Sequence, residues 1–169
     1  EEQAAPVPMA RARPGIIGPG AHAPWMAPGA AMRFESQPGL SFVAQGRLIL
    51  FHRVASQEVV ECLDAKTGAE LWKQPFATAY MDGFGFDNGP RATPCIADGR
   101  VFVFGANGNL HALDFATGKP LWSVDARQDF GAEKGFFGFA SSPLVEGKAL
   151  LVNLGGKNGA GIAAFDTAT

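Results

Sequence analysis

Two stretches of this chain gather side chains that could bind or react. The first, residues 78–91, reads TAYMDGFGFDNGPR and supplies Asp82, Phe84, Phe86, Asp87, Asn88 and Arg91. The second, residues 126–142, reads ARQDFGAEKGFFGFASS and supplies Arg127, Asp129, Phe130, Glu133, Lys134, Phe136 and Phe137. Each mixes aromatics, acids, glycines and one or two cations. An apolar surface with a few converging polar groups is what a ligand site requires. Asp82, Asp87 and Asn88 also carry oxygens of the kind a hard cation takes, although their spacing fits no cation-loop motif. The competing reading is that the aromatics pack the loops down and the charges pair with one another.

Other reactive residues point to less. His22 has no partner pattern, and His111 reads as an ordinary strand side chain. The two cysteines, Cys62 and Cys95, do not make a zinc site. They fall on different strands of successive units, which argues against a bridge. The loop Gly155-Gly156-Lys157-Asn158-Gly159 lacks GxGxxG spacing and leads into no helix, so it is not a phosphate cradle. No metal site is expected.

The elements that position the two stretches come from a repeat. Residues 60–72 (VECLDAKTGAELW), 110–122 (LHALDFATGKPLW) and 162–169 (IAAFDTAT) are copies of one pattern. Their acids, Asp64, Asp114 and Asp166, stand 50 and 52 residues apart. Self-similarity at such a period marks a repeat architecture. Each copy reads strand, turn, strand. The Asp carboxylate can accept backbone N–H groups of its own turn, with Thr67 and Thr117 beside it. Gly68 and Gly118 supply the positive φ that closes a short hairpin. Trp72 and Trp122 follow at a fixed offset, one large ring per repeat for packing on a neighbouring repeat. Two residues before each acid stand Cys62, Ala112 and Ala164, all small; Leu63, Leu113 and Phe165 lie on the opposite face. Both faces are therefore apolar, as in sheets covered on both sides.

A second hairpin precedes each copy, at Gly46-Arg47, Gly99-Arg100 and Gly147-Lys148, each followed by an apolar run. In the first unit the link between its second and third strands reads as a longer polar connection, residues 52–58. Four strands, A to D, recur about every 50 residues. The fold expected is all-β: a β-propeller of four-stranded antiparallel blades. Two blades, about 40–76 and 91–125, precede an incomplete third at 139–169. Residues 1–39 form an irregular leader rich in Pro, Gly and Ala, with Trp25 and an edge strand at 32–35. Propellers close with about four to eight blades, so the chain reads as a fragment whose remaining blades lie outside it.

Propeller topology brings the two reactive stretches together. They are the D-to-A crossings, with 21 residues between Trp72 and Pro94 and 20 between Trp122 and Pro143. Loops beyond about 12–15 residues tend to be functional or disordered. All such crossings leave on one face, so the two share a mouth. The chain's net charge is −2 with no basic stripe, which argues against a nucleic-acid binder. No apolar run is long enough to span a membrane, and no signal-peptide pattern is present.

At these residues the chain resembles the pyrroloquinoline-quinone-like (PQQ-like) β-propeller repeat family. Residues 113–122, LDFATGKPLW, look like its tryptophan-docking repeat, and 63–72 like another copy. The segments at 88–94, 129–131 and 138–145 resemble stretches common in the exported branch of that family. The resemblance covers about residues 40–169. It implies either of two roles. One is a non-catalytic binding or interaction scaffold of an exported, periplasmic bacterial protein, engaging a protein partner or small ligand at the mouth through Asp82, Phe84, Asp87, Asn88, Arg91, Arg127, Asp129, Glu133 and Phe137. The other is part of a PQQ-dependent alcohol dehydrogenase, in which calcium and the quinone supply the redox chemistry and an acid such as Asp87 or Asp129 acts as base. Dehydrogenases of that family often carry a disulfide between adjacent cysteines, which this sequence lacks. Its carboxylates do not match their calcium set.

Overall fold

The computed structural model describes residues 37–85 and 87–169. The leader features expected at Trp25, His22 and residues 32–35, and Phe86 in the first crossing, lie outside the described residues. Three antiparallel sheets follow in chain order. The first holds β1 (Gln37–Ala44), β2 (Arg47–Val54), β3 (Gln57–Asp64) and β4 (Glu70–Ala77). The second holds β5 (Cys95–Ala97), β6 (Arg100–Phe104), β7 (Asn109–Asp114) and β8 (Pro120–Asp125). A helical turn, α1 (Ala126–Phe130), opens the next crossing. The third sheet has three strands: β9 (Leu144–Glu146), β10 (Ala149–Asn153) and β11 (Ile162–Asp166). The first strand of each sheet lies inward, with β5 between β1 and β9.

The sheets stack because their strands are apolar on both faces. Blade two shows this most fully. Val101, Val103 and Leu113 pack toward blade one, against Ile49, Phe51, Val60 and Cys62. Phe102, Phe104, Leu110 and Ala112 face the other way, against Leu150 and Val152 of the third sheet and Leu154 just after β10. Alternation along each strand sends successive side chains to opposite faces. A continuous apolar run such as 101–104 therefore feeds two interfaces at once.

The acid turns are built alike. The Asp64 carboxylate accepts the Thr67 N–H and hydroxyl, each at 2.7 Å. Asp114 accepts the same pair from Thr117, at 2.8 and 2.6 Å. The Thr hydroxyl and N–H hold both carboxyls below the ordinary Asp range. The residue after each acid then donates to the A–B turn of its own blade: Ala65 to Gly46, Phe115 to Gly99 and Thr167 to Lys148.

Each turn is followed by a β-bulge at the same place. Cys62 faces Trp72 and Leu63 faces Glu70, leaving Leu71 unpaired; Ala112 faces Trp122 and Leu113 faces Pro120, leaving Leu121 unpaired. A bulge adds one residue to one strand and re-aims its side chains. Leu71 and Leu121 point outward, each 46% exposed, and the Trp beside each turns in over the small residue. Trp72 crosses to blade two. Its indole N–H donates to the Phe115 carbonyl at 3.1 Å, and its ring covers Gly118, leaving no room for a Cβ there. Arg47 donates to the same carbonyl at 3.0 Å and to Ala116 O at 3.0 Å, its guanidinium 5.2 Å from the Phe115 ring. Trp122 lies half-buried between Phe102 and Phe165. In the third sheet Ala164 is exposed, unlike its counterparts Cys62 and Ala112.

Two local readings of the sequence need correction. Residues 52–58 are not a long polar connection. β2 and β3 pair as far as Val54 and Gln57, around a two-residue turn with Ala55 at φ 51°. The polar residues His52, Arg53 and Glu58 are in-strand and buried, a placement that partners on neighbouring segments make possible. The second crossing also begins with a helical turn. Asp125 caps it by accepting Arg127 and Gln128 N–H groups, and Gly131 ends it at φ 61°.

Trp72→Ala is expected to lower unfolding stability by about 3–5 kcal/mol, the usual cost of emptying a buried aromatic site. Gly118→Ala should cost more than about 1 kcal/mol, because positive φ and the Trp72 ring both oppose a Cβ. Urea unfolding measures both. A Gly118→Ala midpoint equal to wild type would show that the ring does not seat on this turn.

Candidate functional site

Antiparallel strands alternate in direction, so each B–C turn and each D–A crossing leave a blade at the same edge. The B–C turn of blade two, residues 105–108, stands between both crossings. Its Ala106 N–H donates to Glu58 Oε1 of blade one at 2.9 Å. Its Ala106 carbonyl accepts the Phe139 N–H of the second crossing at 3.0 Å. Gly138 makes that approach possible: at φ 76°, a Cβ there would stand 2.7 Å from both Ala106 O and the Tyr80 ring.

Arg53 holds the first crossing. Its Nη1 donates to Tyr80 O at 2.7 Å and Asn88 O at 3.0 Å, and its Nε to Ala55 O at 2.7 Å. Arg53 faces Glu58 across the β2–β3 pair. Burial pushes the Glu58 carboxyl above its ordinary range, with the Ala106 N–H and the Arg53 charge opposing that shift. Arg53, Glu58 and the buried Tyr80 thus set both crossings in place, and the sequence did not single them out. Arg and Glu in a polar run carry no signal of burial until the register pairs them.

The oxygens of the first crossing serve its own backbone. The Asp82 carboxylate accepts Phe84 and Asp87 N–H groups, each at 3.3 Å. Asn88 Oδ1 accepts the Asp82 N–H at 2.7 Å, and Asp87 Oδ1 accepts the Gly89 N–H at 2.7 Å. Four side-chain oxygens of the trio thus hold the loop's own backbone. Among the described residues, no three His, Cys, Asp or Glu side chains group in a way that could hold a metal. Arg91 Nη2 donates to Asp87 O at 2.8 Å and lies 3.4 Å from the Tyr80 hydroxyl.

The two crossings meet through rings. Phe84 and Phe136 lie 4.9 Å apart, and Phe136 and Phe137 4.7 Å apart. The Arg91 guanidinium stands 5.9 Å from the Tyr80 ring and 5.6 Å from Phe137. Lys134 Nζ stands 5.4 Å from Tyr80. The outer rings are wet: Phe84 is 57%, Phe136 69% and Phe137 53% exposed, with Met81 beside them in sequence at 71%.

The other expected site residues go elsewhere. Arg127 donates to Asn107 Oδ1 at 3.2 Å. The Asp129 carboxylate accepts the Asp125 N–H at 2.9 Å and so closes the start of α1. Phe130 meets Phe165 of the third sheet edge-on. Glu133 pairs with Lys157 at 2.8 Å; each charge favours the other, lowering the carboxyl and raising the ammonium. His111 stacks on Phe76 at 3.8 Å, and burial pushes its imidazole down to about 4. Cys62 and Cys95 are free thiols.

Stacked antiparallel blades with their first strands inward define a β-propeller. The chain belongs to the PQQ-like β-propeller repeat family: the family model described as outer membrane protein assembly factor BamB matches residues 56–169. It is 31% identical over 115 residues to the quinohemoprotein alcohol dehydrogenase ADH-IIG of Pseudomonas putida, covering 66% of this chain and 16% of that protein. It is 31% identical over 119 residues to the quinohemoprotein alcohol dehydrogenase of Comamonas testosteroni, covering 68% and 16%. The chain thus spans 16% of the length of these relatives. The crystal structure of the Comamonas testosteroni enzyme superposes with a TM-score of 0.55 at 28% identity, over 79% of this chain and 20% of that one. A europium-containing methanol dehydrogenase shares the fold, with a TM-score of 0.54 at 22% identity over 79% of this chain and 23% of that one.

Glu58 gives a pH test. Its folded value lies above the ordinary 4.5, so its contribution is complete below that value and is lost as pH rises through the folded one. Glu58→Gln keeps an acceptor for Ala106 and removes the charge. The stability of Glu58→Gln minus that of wild type, from urea unfolding, is expected to increase as pH rises from the acidic side. A flat difference would show that the carboxyl is not ionised against burial.

Proposed function

We propose that this chain belongs to a non-catalytic binding scaffold of an exported, periplasmic bacterial protein, engaging a protein partner or a small ligand at the mouth. The aromatic surface of Phe84, Phe136 and Phe137 beside Arg91 and Lys134 carries the reading. Catalytic acids and bases need a free reacting atom and a matched environment. The carboxylates here are engaged by backbone N–H groups: Asp82 and Asp87 in their own loop, Asp129 at the helix start. The exposed part of the crossings includes the Phe84, Phe136 and Phe137 rings and the Lys134 cation, beside the exposed acids Asp129 and Glu133, and this mixed surface suits binding. Tryptophan docking would join successive blades, with Trp72 on the turn of Thr117 and Gly118 as its instance. The family description, an outer-membrane assembly factor, supports export and a protein partner. Among the described residues, no helix is long and apolar enough to cross a membrane.

A second reading, part of a PQQ-dependent alcohol dehydrogenase, is favoured by the 31% identity to two quinohemoprotein alcohol dehydrogenases. There the quinone with calcium would carry the redox step. Asp82 Oδ1 and Oδ2, Asp87 Oδ1 and Asn88 Oδ1 each accept a backbone N–H group, which weighs against their serving as a calcium set.

The test uses protein produced from its whole open reading frame, incubated with pyrroloquinoline quinone and calcium. The expected result is no quinone absorbance retained through gel filtration and no dye-linked oxidation of alcohols. Stoichiometric retention together with dye reduction would reverse the order of the two readings.

A further inference from the structure

Two cations sit on the aromatic surface of the mouth without a carboxylate to neutralise them. Arg91 lies against Tyr80 and Phe137, and Lys134 against Tyr80. Among the described residues neither forms an ion pair; the pairs present are His52 and Lys73 with Glu61, and Lys157 with Glu133. An aromatic face holds a cation in place while leaving its charge available. Arg91 donates through Nη2 to Asp87 O and Tyr80, and among the described residues its buried Nε has no partner. These contacts fix its position, while Lys134, against the same ring, is exposed. Phe84, Phe136 and Phe137 extend this charged platform as open apolar surface.

We propose that the mouth docks an extended segment of a protein partner in which carboxylates stand beside apolar side chains. This rests on reading the mouth as a binding surface. Charge complementarity selects the acids, because Arg91 and Lys134 are un-neutralised and charged donors bond carboxylates most strongly. The open rings select the apolar anchors. Exposure selects a macromolecule over a small molecule. Small-ligand sites are clefts that enclose most of the ligand, whereas Phe84, Phe136 and Phe137 are all more than half exposed, and open apolar patches mark protein contacts. A single-stranded nucleic acid would need cations along a groove, and the chain carries a net charge of −2.

The test is fluorescence anisotropy with a short labelled peptide of Asp and Glu interleaved with Phe and Leu. Its competitors are the Asn/Gln version, oligothymidine and benzoate. The acidic peptide is expected to bind, and the amide version to bind about tenfold more weakly, the scale of a charged hydrogen bond. Lys134→Gln, at an exposed side chain, should reproduce that loss with an unchanged melting curve; Arg91→Gln should weaken the acidic peptide likewise, with a lower melting temperature because Arg91 also holds Asp87 O. Phe136→Ala should weaken both peptides alike. Equal affinity for acidic and amide peptides overturns the proposal but, if Phe136 still matters, leaves the mouth a binding surface. Tighter binding of oligothymidine or benzoate overturns it in favour of those ligands. Failure of every probe, together with retained quinone, removes both this proposal and the scaffold reading.

Discussion

The carbonyl oxygen of Phe115 accepts the Trp72 indole and the Arg47 guanidinium together, and the seating of blade two on blade one follows from that contact. A carbonyl has two lone pairs, and both are used by the neighbouring blade. The turn that presents this oxygen is stiffened by Asp114 and Thr117. The face that receives the indole is Gly118, where any side chain would collide with the ring. Apolar packing between the blades is large but non-directional. These hydrogen bonds give it a direction.

Once the blades are seated, the loops above them are placed by a second set of buried polar contacts. Glu58 reaches from blade one to Ala106, and Ala106 receives Phe139 of the second crossing. Arg53 takes two carbonyls of the first crossing. These groups are buried and paired, as buried polar groups must be. The mouth is therefore not a pair of loose loops. It is a surface clamped from beneath by a strand pair of blade one and a hairpin turn of blade two.

That clamping divides the residues of the mouth by chemistry. Asp82, Asp87, Asn88 and Asp129 are used as acceptors for N–H groups of their own segments. Phe84, Phe136 and Phe137 remain exposed; Arg91 rests on Phe137 and the buried Tyr80, and Lys134 on Tyr80. The outcome is a surface of exposed rings with cations beside them. It accords with a family whose relatives include a BamB assembly-factor description and quinohemoprotein alcohol dehydrogenases. One fold can host unrelated functions.

Much of the fold was legible in the chain. The period set by Asp64, Asp114 and Asp166 gave the blades, because one hairpin repeated at a fixed spacing has one simple way to stack. The Asp–Thr–Gly turns were legible because their bonds are local. The bulge that turns Leu71 out and Trp72 in was not, since it appears only when the strands are set in register. Buried roles for Arg53 and Glu58 were equally hidden: in the sequence they are polar residues near a turn, and their partners lie 27 to 48 residues away. The crossings were correctly placed on one edge by topology alone. Which of their residues remain available was decided only by tertiary structure, because a carboxylate's freedom depends on the N–H groups folding brings to it.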